Sequence, residues 1–202
     1  MAKENPLASN LTLEQQKNLF GNAYLNMLWH CPTDQRFPYW VHLPDCYYDE
    51  KDPHYKLLVI IHGTGCAVED YVRHAKELAD RDHVAVLAPL FPGGLIQRDD
   101  FNSYKLLSCD GVRYDQILLD MIDDMAKRYP GVETDKFFLF GHSGGGQFAN
   151  RFLFAHPEKL RACAIGAPGR PTFLNPDEDY FWGTRDFKNY FCLLYTSDAA
   201  DD

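Results

Sequence analysis

Ser143 stands in Gly141-His142-Ser143-Gly144-Gly145, directly after the apolar run Phe137-Phe138-Leu139-Phe140 and before a helix-compatible stretch. A serine in a Gly-x-Ser-x-Gly frame can serve as a covalent nucleophile. Strand, sharp turn and helix in that order form a nucleophile elbow, which holds the serine on a strained backbone and pushes Oγ into the open. Side chains two residues either side would collide, so Gly141 and Gly145 are wanted there. With Gly and Ser each near about 7% of residues, the pattern arises by chance in ~200 residues less than about 1% of the time. A phosphate-cradling loop would run on into Lys-Ser/Thr or show Gly-x-Gly-x-x-Gly, and neither is present.

A serine hydroxyl is a poor nucleophile until a base removes its proton, and the oxyanion formed next needs preorganised donors. The N–H of Gly144 qualifies as one, since it follows the nucleophile and opens a helix. The second is expected from His62-Gly63-Thr64-Gly65, the turn after an earlier apolar strand, with the Thr64 N–H first and the Gly65 N–H as its alternate. Alone, that stretch would read as a plain strand-end turn. His62 is expected to order the turn by hydrogen bonding, and His142 to point away from the Ser143 side chain. One histidine follows Ser143: His156, in Ala155-His156-Pro157-Glu158 at a helix end, where a structural role is expected. Asp177, Glu178, Asp179 and Asp186 read as a solvated or lid-like loop. No metal set and no cofactor is expected.

The elements that must position these residues alternate. Ala23 to Cys31 and Phe37 to Leu43 are aromatic and β-branched around a Pro32 to Arg36 turn, which predicts an antiparallel hairpin. Leu57-Leu58-Val59-Ile60-Ile61 is a continuous apolar run, suited to a strand covered on both faces. Val68, Tyr71, Val72, Ala75, Leu78 and Ala79 recur at helical spacing. Val84 to Ala88 reads as a strand, Leu90 to Asp110 as a long loop, and Val112 to Tyr129 as a helix stopped by Pro130. Phe148, Phe152 and Leu153 should face inward from the helix after Ser143, and Leu160 to Ile165 should form a further strand. Thr12 with Gln15 can cap a short helix to Phe20. The class is α/β: a mostly parallel sheet with helices on both faces and an N-terminal antiparallel hairpin. Phe173 to Phe191, aromatic and acidic without a clean period, is expected to line the substrate site together with the Leu90 to Asp110 loop.

The chain has 202 residues and a net charge of −9 without a basic stretch, which argues against nucleic acid. No run of about 18 apolar residues predicts a membrane span. Met1 to Asn10 lacks an apolar signal core, so a cytoplasmic location is expected. Six cysteines without Cys-x-x-Cys spacing read as reduced, mostly buried thiols. The last eleven residues, Cys192 to Asp202, resemble the translation of a transposase-type sequencing adapter (TGT CTC TTA TAC ACA TCT GAC GCT GCC GAC). On that reading the native frame ends near Phe191. Without Asp198, Asp201 and Asp202 the 29 acids become 26, and against 20 bases the native charge is −6. Residues 1–10 are then a flexible N-terminus, 11–191 one C-terminally truncated domain, and 192–202 a tail expected to pack against nothing specific.

Ile61-His62-Gly63-Thr64-Gly65 followed by Gly141-His142-Ser143-Gly144-Gly145 on this strand pattern resembles the α/β-hydrolase superfamily. Arg36 to Pro44 and Phe140 to Pro168 are similar, more loosely, to esterase-like proteins related to polyhydroxybutyrate depolymerases. The resemblance spans most of Tyr24 to Phe191. It implies an α/β-hydrolase fold and a serine esterase that passes through an acyl-enzyme on a small-molecule ester. It also implies a triad running Ser, acid, His along the chain. Both later members would lie beyond Phe191, so the fragment as written is expected to be inactive. An acyltransferase on the same parts and a non-catalytic binding protein of this fold are the alternatives.

Overall fold

The computed structural model describes residues 26–49, 51 and 54–191. The expected frayed start, the Thr12 to Phe20 helix, the Ala23 to Leu25 part of the hairpin and the Cys192 to Asp202 tail lie outside the described residues.

Among the described residues six strands form one sheet: β1 (Asn26–His30), β2 (Pro38–His42), β3 (Tyr55–Ile61), β4 (Val84–Pro89), β7 (Val132–His142) and β8 (Leu160–Gly166), in the order β1-β2-β4-β3-β7-β8. β1 and β2 make the expected antiparallel hairpin, and β2 joins β4 antiparallel. β4, β3, β7 and β8 are parallel. Helix α1 (Val68–Asp82) links β3 to β4, α2 (Tyr114–Arg128) precedes β7, and α3 (Gly144–Ala155) links β7 to β8. The step from β3 to β4 runs one way along the sheet and the step from β7 to β8 the other. Right-handed crossovers therefore put their helices on opposite faces. Val68, Val72 and Ala79 of α1 pack on Ile60, Val86 and Ala88. The larger core lies on the other side, where α2 and α3 cover Leu57, Val59, Ile61, Leu87 and Leu139. β4 is buried at every position, as a strand covered on both faces must be.

The hairpin is tied to the end of α2. Tyr39 Oη donates to Asp124, Arg128 holds the same carboxylate at 2.7 Å, and the Trp29 Nε1–H donates to Tyr129 Oη at 2.9 Å. The Arg128 guanidinium lies 3.9 Å above the Trp29 ring.

Four expectations change. The helix expected from Val112 starts at Tyr114, because Val112–Arg113 (β6) pairs antiparallel with Ser108–Cys109 (β5). Asp110 and Gly111 turn that small ribbon with φ of 50° and 79°, the double left-handed turn that an Asp-Gly pair favours. The long loop is therefore partly ordered, and it also carries a 3₁₀ turn at Ser103–Leu106 with Tyr104 and Lys105 buried. Leu78 is 41% exposed rather than packed, bordering an open apolar groove with Tyr71, Ala75, Leu58 and Phe140. Of the described cysteines only Cys31 is fully buried, and all five are free thiols.

His156, at the far end of α3, places Nε2 2.8 Å from Asp115 Oδ2, and Arg113 grips the same carboxylate at 2.7 and 2.9 Å. Burial alone would raise the Asp115 carboxyl, but these partners outweigh it and hold it down to about 2, against 3.8 for the free side chain. A carboxyl whose folded value is depressed stabilises fully above the unfolded value and loses that contribution as pH falls through the folded one. The stabilisation, about 2 kcal/mol, should therefore disappear between about pH 4 and pH 2. Asp115→Asn should lower the neutral-pH melting temperature and flatten its dependence on pH in that window, as followed by circular dichroism.

Candidate active site

The site begins with a register. β3 and β7 are parallel neighbours with Ile61 opposite Gly141, so the turn after β3 and the elbow after β7 leave the same sheet edge side by side. Ser143 has φ 55° and ψ −117°, a conformation that costs a non-glycine residue about 1–3 kcal/mol. Its N–H donates to Gly166 O at 2.9 Å, which ties the elbow to the end of β8. Ser143 is exposed, whereas Gly141, Gly144, Gly145 and Gly146 are buried. A Cβ at Gly145 would sit 2.1 Å from Ile61 O, and one at Gly141 would sit 2.0 Å from Gly145 O. α3 thus crosses the end of β3 at a distance only glycine permits.

The neighbouring turn closes through the Cys66 N–H, which donates to Gly63 O at 3.1 Å. It lies directly against the elbow: a Cβ at Gly63 would be 3.7 Å from Ser143 Cβ, and one at Gly144 would be 3.0 Å from Thr64 Oγ1. Thr64 and Gly65 are exposed beside it. Gly144 opens α3, so its N–H has no acceptor within the helix and lies at the positive end of the dipole. The structure therefore brings together Ser143, Thr64 and Gly144, with Gly65 next along the turn and Gly141 and Gly145 at the close crossing behind them.

His62 is buried and holds this turn from below. The Phe91 N–H donates to His62 Nε2 at 3.0 Å, so Nε2 is an acceptor and Nδ1 carries the proton. That Nδ1–H donates to Gly63 O at 2.7 Å. Burial pushes the imidazole below its ordinary value, in keeping with the neutral ring this pairing requires. Tyr104 donates its hydroxyl to His62 O at 3.1 Å and stacks on Phe91. His142 is exposed, with Cδ2 3.0 Å from where a Cβ of Gly166 would be, at the side of the elbow away from the turn.

Two groups were not singled out by sequence reasoning. Lys105 lies over the start of α3, its Cε 2.8 Å from a Cβ position at Gly144. Arg151, on α3, is 2% exposed. Its guanidinium donates to Lys105 O, Arg170 O and Thr172 Oγ1 at 2.8, 3.1 and 3.1 Å. Asn150 is buried too, accepting from the Thr172 N–H at 2.7 Å. The stretch after β8 folds over α3, burying Tyr180, Phe187 and Phe191 in the main core. Asp179 there pairs with Arg185, and Asp186 accepts from the Tyr180 N–H. His30, His42, His62, His74 and His156 are each hydrogen-bonded elsewhere.

No family model and no curated protein matches the chain. Solved structures do. A poly(3-hydroxybutyrate) depolymerase from Bordetella parapertussis is similar with a TM-score of 0.64 and 20% identity, over 86% of this chain and 62% of that one. Poly(aspartic acid) hydrolase-1 from Sphingomonas sp. KT-1 is similar with a TM-score of 0.62 and 19% identity, over 80% and 62%. An S-formylglutathione hydrolase from Staphylococcus aureus gives 0.53 and 22%, over 68% and 56%. The chain has the α/β-hydrolase fold, and it spans less than two thirds of the length of these neighbours. Among the described residues no helix is long and apolar enough to cross a membrane.

Gly145→Val should destabilise by about 3–5 kcal/mol or abolish folding, because its branched carbon meets Ile61 O and the elbow cannot relax without losing its conformation. An unchanged melting temperature would overturn the close crossing. The buried neutral His62 makes a second expectation. The unfolded chain takes up a proton below about pH 6.5 that the folded ring resists, so stability present above that pH is lost as pH falls. His62→Gln keeps one donor and one acceptor, and should remove part of that slope in urea titrations. His42, also buried and held below its ordinary value, should supply another part.

Proposed function

We propose that this chain is the nucleophile-bearing part of a serine ester hydrolase. The observation that carries the reading is Ser143, exposed and strained at φ 55°, at the head of α3 and against the Thr64-Gly65 turn. The named activities of the similar structures, a depolymerase and hydrolases, are in keeping with it.

On this reading Ser143 Oγ attacks the ester carbonyl and forms a tetrahedral adduct. The Gly144 N–H and the Thr64 N–H, with Gly65 as the alternate, receive the negative oxygen. Both are backbone donors held by packing, so they need no reorganisation as charge develops. Collapse expels the alcohol and leaves an acyl-enzyme on Ser143, which water then cleaves. Proton transfer from Oγ needs an imidazole, and general-base help is worth about 10²–10⁴ in rate. His156 is committed to Asp115 at the other end of α3, about 18 Å along a twelve-residue helix. We assign the base and its orienting carboxylate to sequence that follows Phe191 in the natural protein.

The test compares this chain with the gene read to its natural stop. The substrate is a small activated ester and the probe a serine-reactive phosphonate. The extended protein should turn over the ester and label at Ser143, and Ser143→Ala should abolish both. The present chain should be slower by at least about 10²-fold, since triad members act as a unit. Equal turnover by the two chains, lost in His156→Ala, would show that His156 is the base.

A further inference from the structure

A cavity of about 460 Å³ opens beside α3, walled by Lys105, Gln147, Arg151 and Arg170 and roofed by Phe181 and Trp182. Among the described residues three cations line it and no carboxylate does, although the chain as a whole carries an excess of nine negative charges. Two of these cations are buried, Lys105 at 6% and Arg151 at 2% exposure. A buried charge is normally matched by an opposite one. Here the partners are neutral. Lys105 Nζ donates to Asn102 Oδ1 at 2.6 Å and lies 5.9 Å from the centre of the Tyr104 ring, and it makes no ion pair among the described residues. Arg151 reaches only carbonyls and a hydroxyl. Arg170 lies over the Trp182 ring at 5.9 Å and makes no ion pair among the described residues. The carboxylate that acts on Lys105 is Asp100, which is already occupied by the N–H groups of Asn102 and Ser103 and the Ser103 hydroxyl.

Gln147 and Arg151 follow Ser143 by four and eight residues on the same helix, hence about 6 and 12 Å along its axis. Lys105 bridges the two places, since its Cε also lies over Gly144. Lys105 is therefore a wall shared by the cavity and the first turn of α3, where Ser143 stands.

We propose that this cavity receives a carboxylate on the substrate, so that the ester cleaved at Ser143 carries a negative group about 6–12 Å from its reacting carbonyl. Lys105, Arg170 and Gln147 supply the hydrogen-bond donors. Arg151 supplies fixed positive charge from beneath, its own donors being spent on the backbone. Phe181 and Trp182 cover the methylene chain between ester and anion. The proposal rests on the hydrolase reading for the role of Ser143, but the pocket can be tested without catalysis.

The probes are monoethyl adipate and ethyl hexanoate, equal in length and differing by a carboxylate in place of a methyl. Binding to the full 202-residue chain is followed by NMR titration. Monoethyl adipate should bind at least about ten-fold more tightly, the worth of one charge-assisted hydrogen bond. The preference should shrink as salt rises to about 0.5 M. Lys105→Met and the exposed Arg170→Gln should each cut the ratio several-fold, and Lys105→Arg should restore it. Equal binding of the two probes, or a preference that survives both neutralising substitutions in a folded protein, overturns the proposal. In the extended protein, 4-nitrophenyl hexanoate and mono-4-nitrophenyl adipate separate the two readings. Turnover at Ser143 with no preference for the adipate ester refutes the pocket and leaves the hydrolase standing. Preferential adipate binding without any labelling of Ser143 does the reverse.

Discussion

The rest of the structure depends on one close crossing, where Gly145 in the first turn of α3 passes the last carbonyls of β3. No atom larger than hydrogen fits between them. Because the helix can come this near, its N-terminus lies on the same edge as the turn that leaves β3, and the Gly144 N–H, Thr64 and Ser143 are brought together. The sheet order contributes the remainder. Between β3 and β7 the direction of strand succession reverses, and such a switch point is the usual place for ligands in open α/β sheets.

Around that crossing, buried polar groups fix what packing alone leaves loose. His62 joins the turn after β3 to the chain after β4 through two hydrogen bonds that specify one tautomer. Tyr104 and Lys105 arrive from the long segment after β4 and cover the start of α3. Arg151 then fastens that segment and the one after β8 to the helix, through the carbonyls of Lys105 and Arg170. Both long connections are therefore walls of the cavity beside α3, held by a group that belongs to neither of them. Placing cations there without acids costs stability, the kind of concession that proteins make at functional sites.

What was legible in the sequence had a short range. The β3 run, the α1 stripe and the elbow each announce themselves within about a dozen residues, through period 3.6, continuous apolarity or glycine spacing. The Asp110-Gly111 ribbon was equally local and could have been found from that dipeptide. The burial of Arg151 and Asn150 had no local signal, because their partners lie up to 46 residues away. Leu78 looked like a core residue because periodicity reports a face, not whether that face finds a cover. The polar stretch Glu133 to Lys136 hid the first half of β7 for a related reason. Arg161 of the adjacent strand pairs with the Glu133 carboxylate and donates to the Lys136 carbonyl, and the polar run leaves no alternation to read.

That first half of β7 has a further meaning. Pairing with β3 shifts between Lys56 and Leu58, and pairing with β8 shifts next to Phe138, so the strand is out of step with both neighbours up to Phe137. From Phe138 to Gly141 it runs in unbroken register on both sides. The strand thus behaves as two segments with separate tolerances to change in length. A residue gained or lost near Asp135 falls where the ladder is already irregular, and the slack absorbs it upstream of the nucleophile. The same change after Phe138 would move Ser143 by about 3.3 Å and turn alternate side chains to the opposite face. A change in chain length therefore has room in the first segment and none in the second.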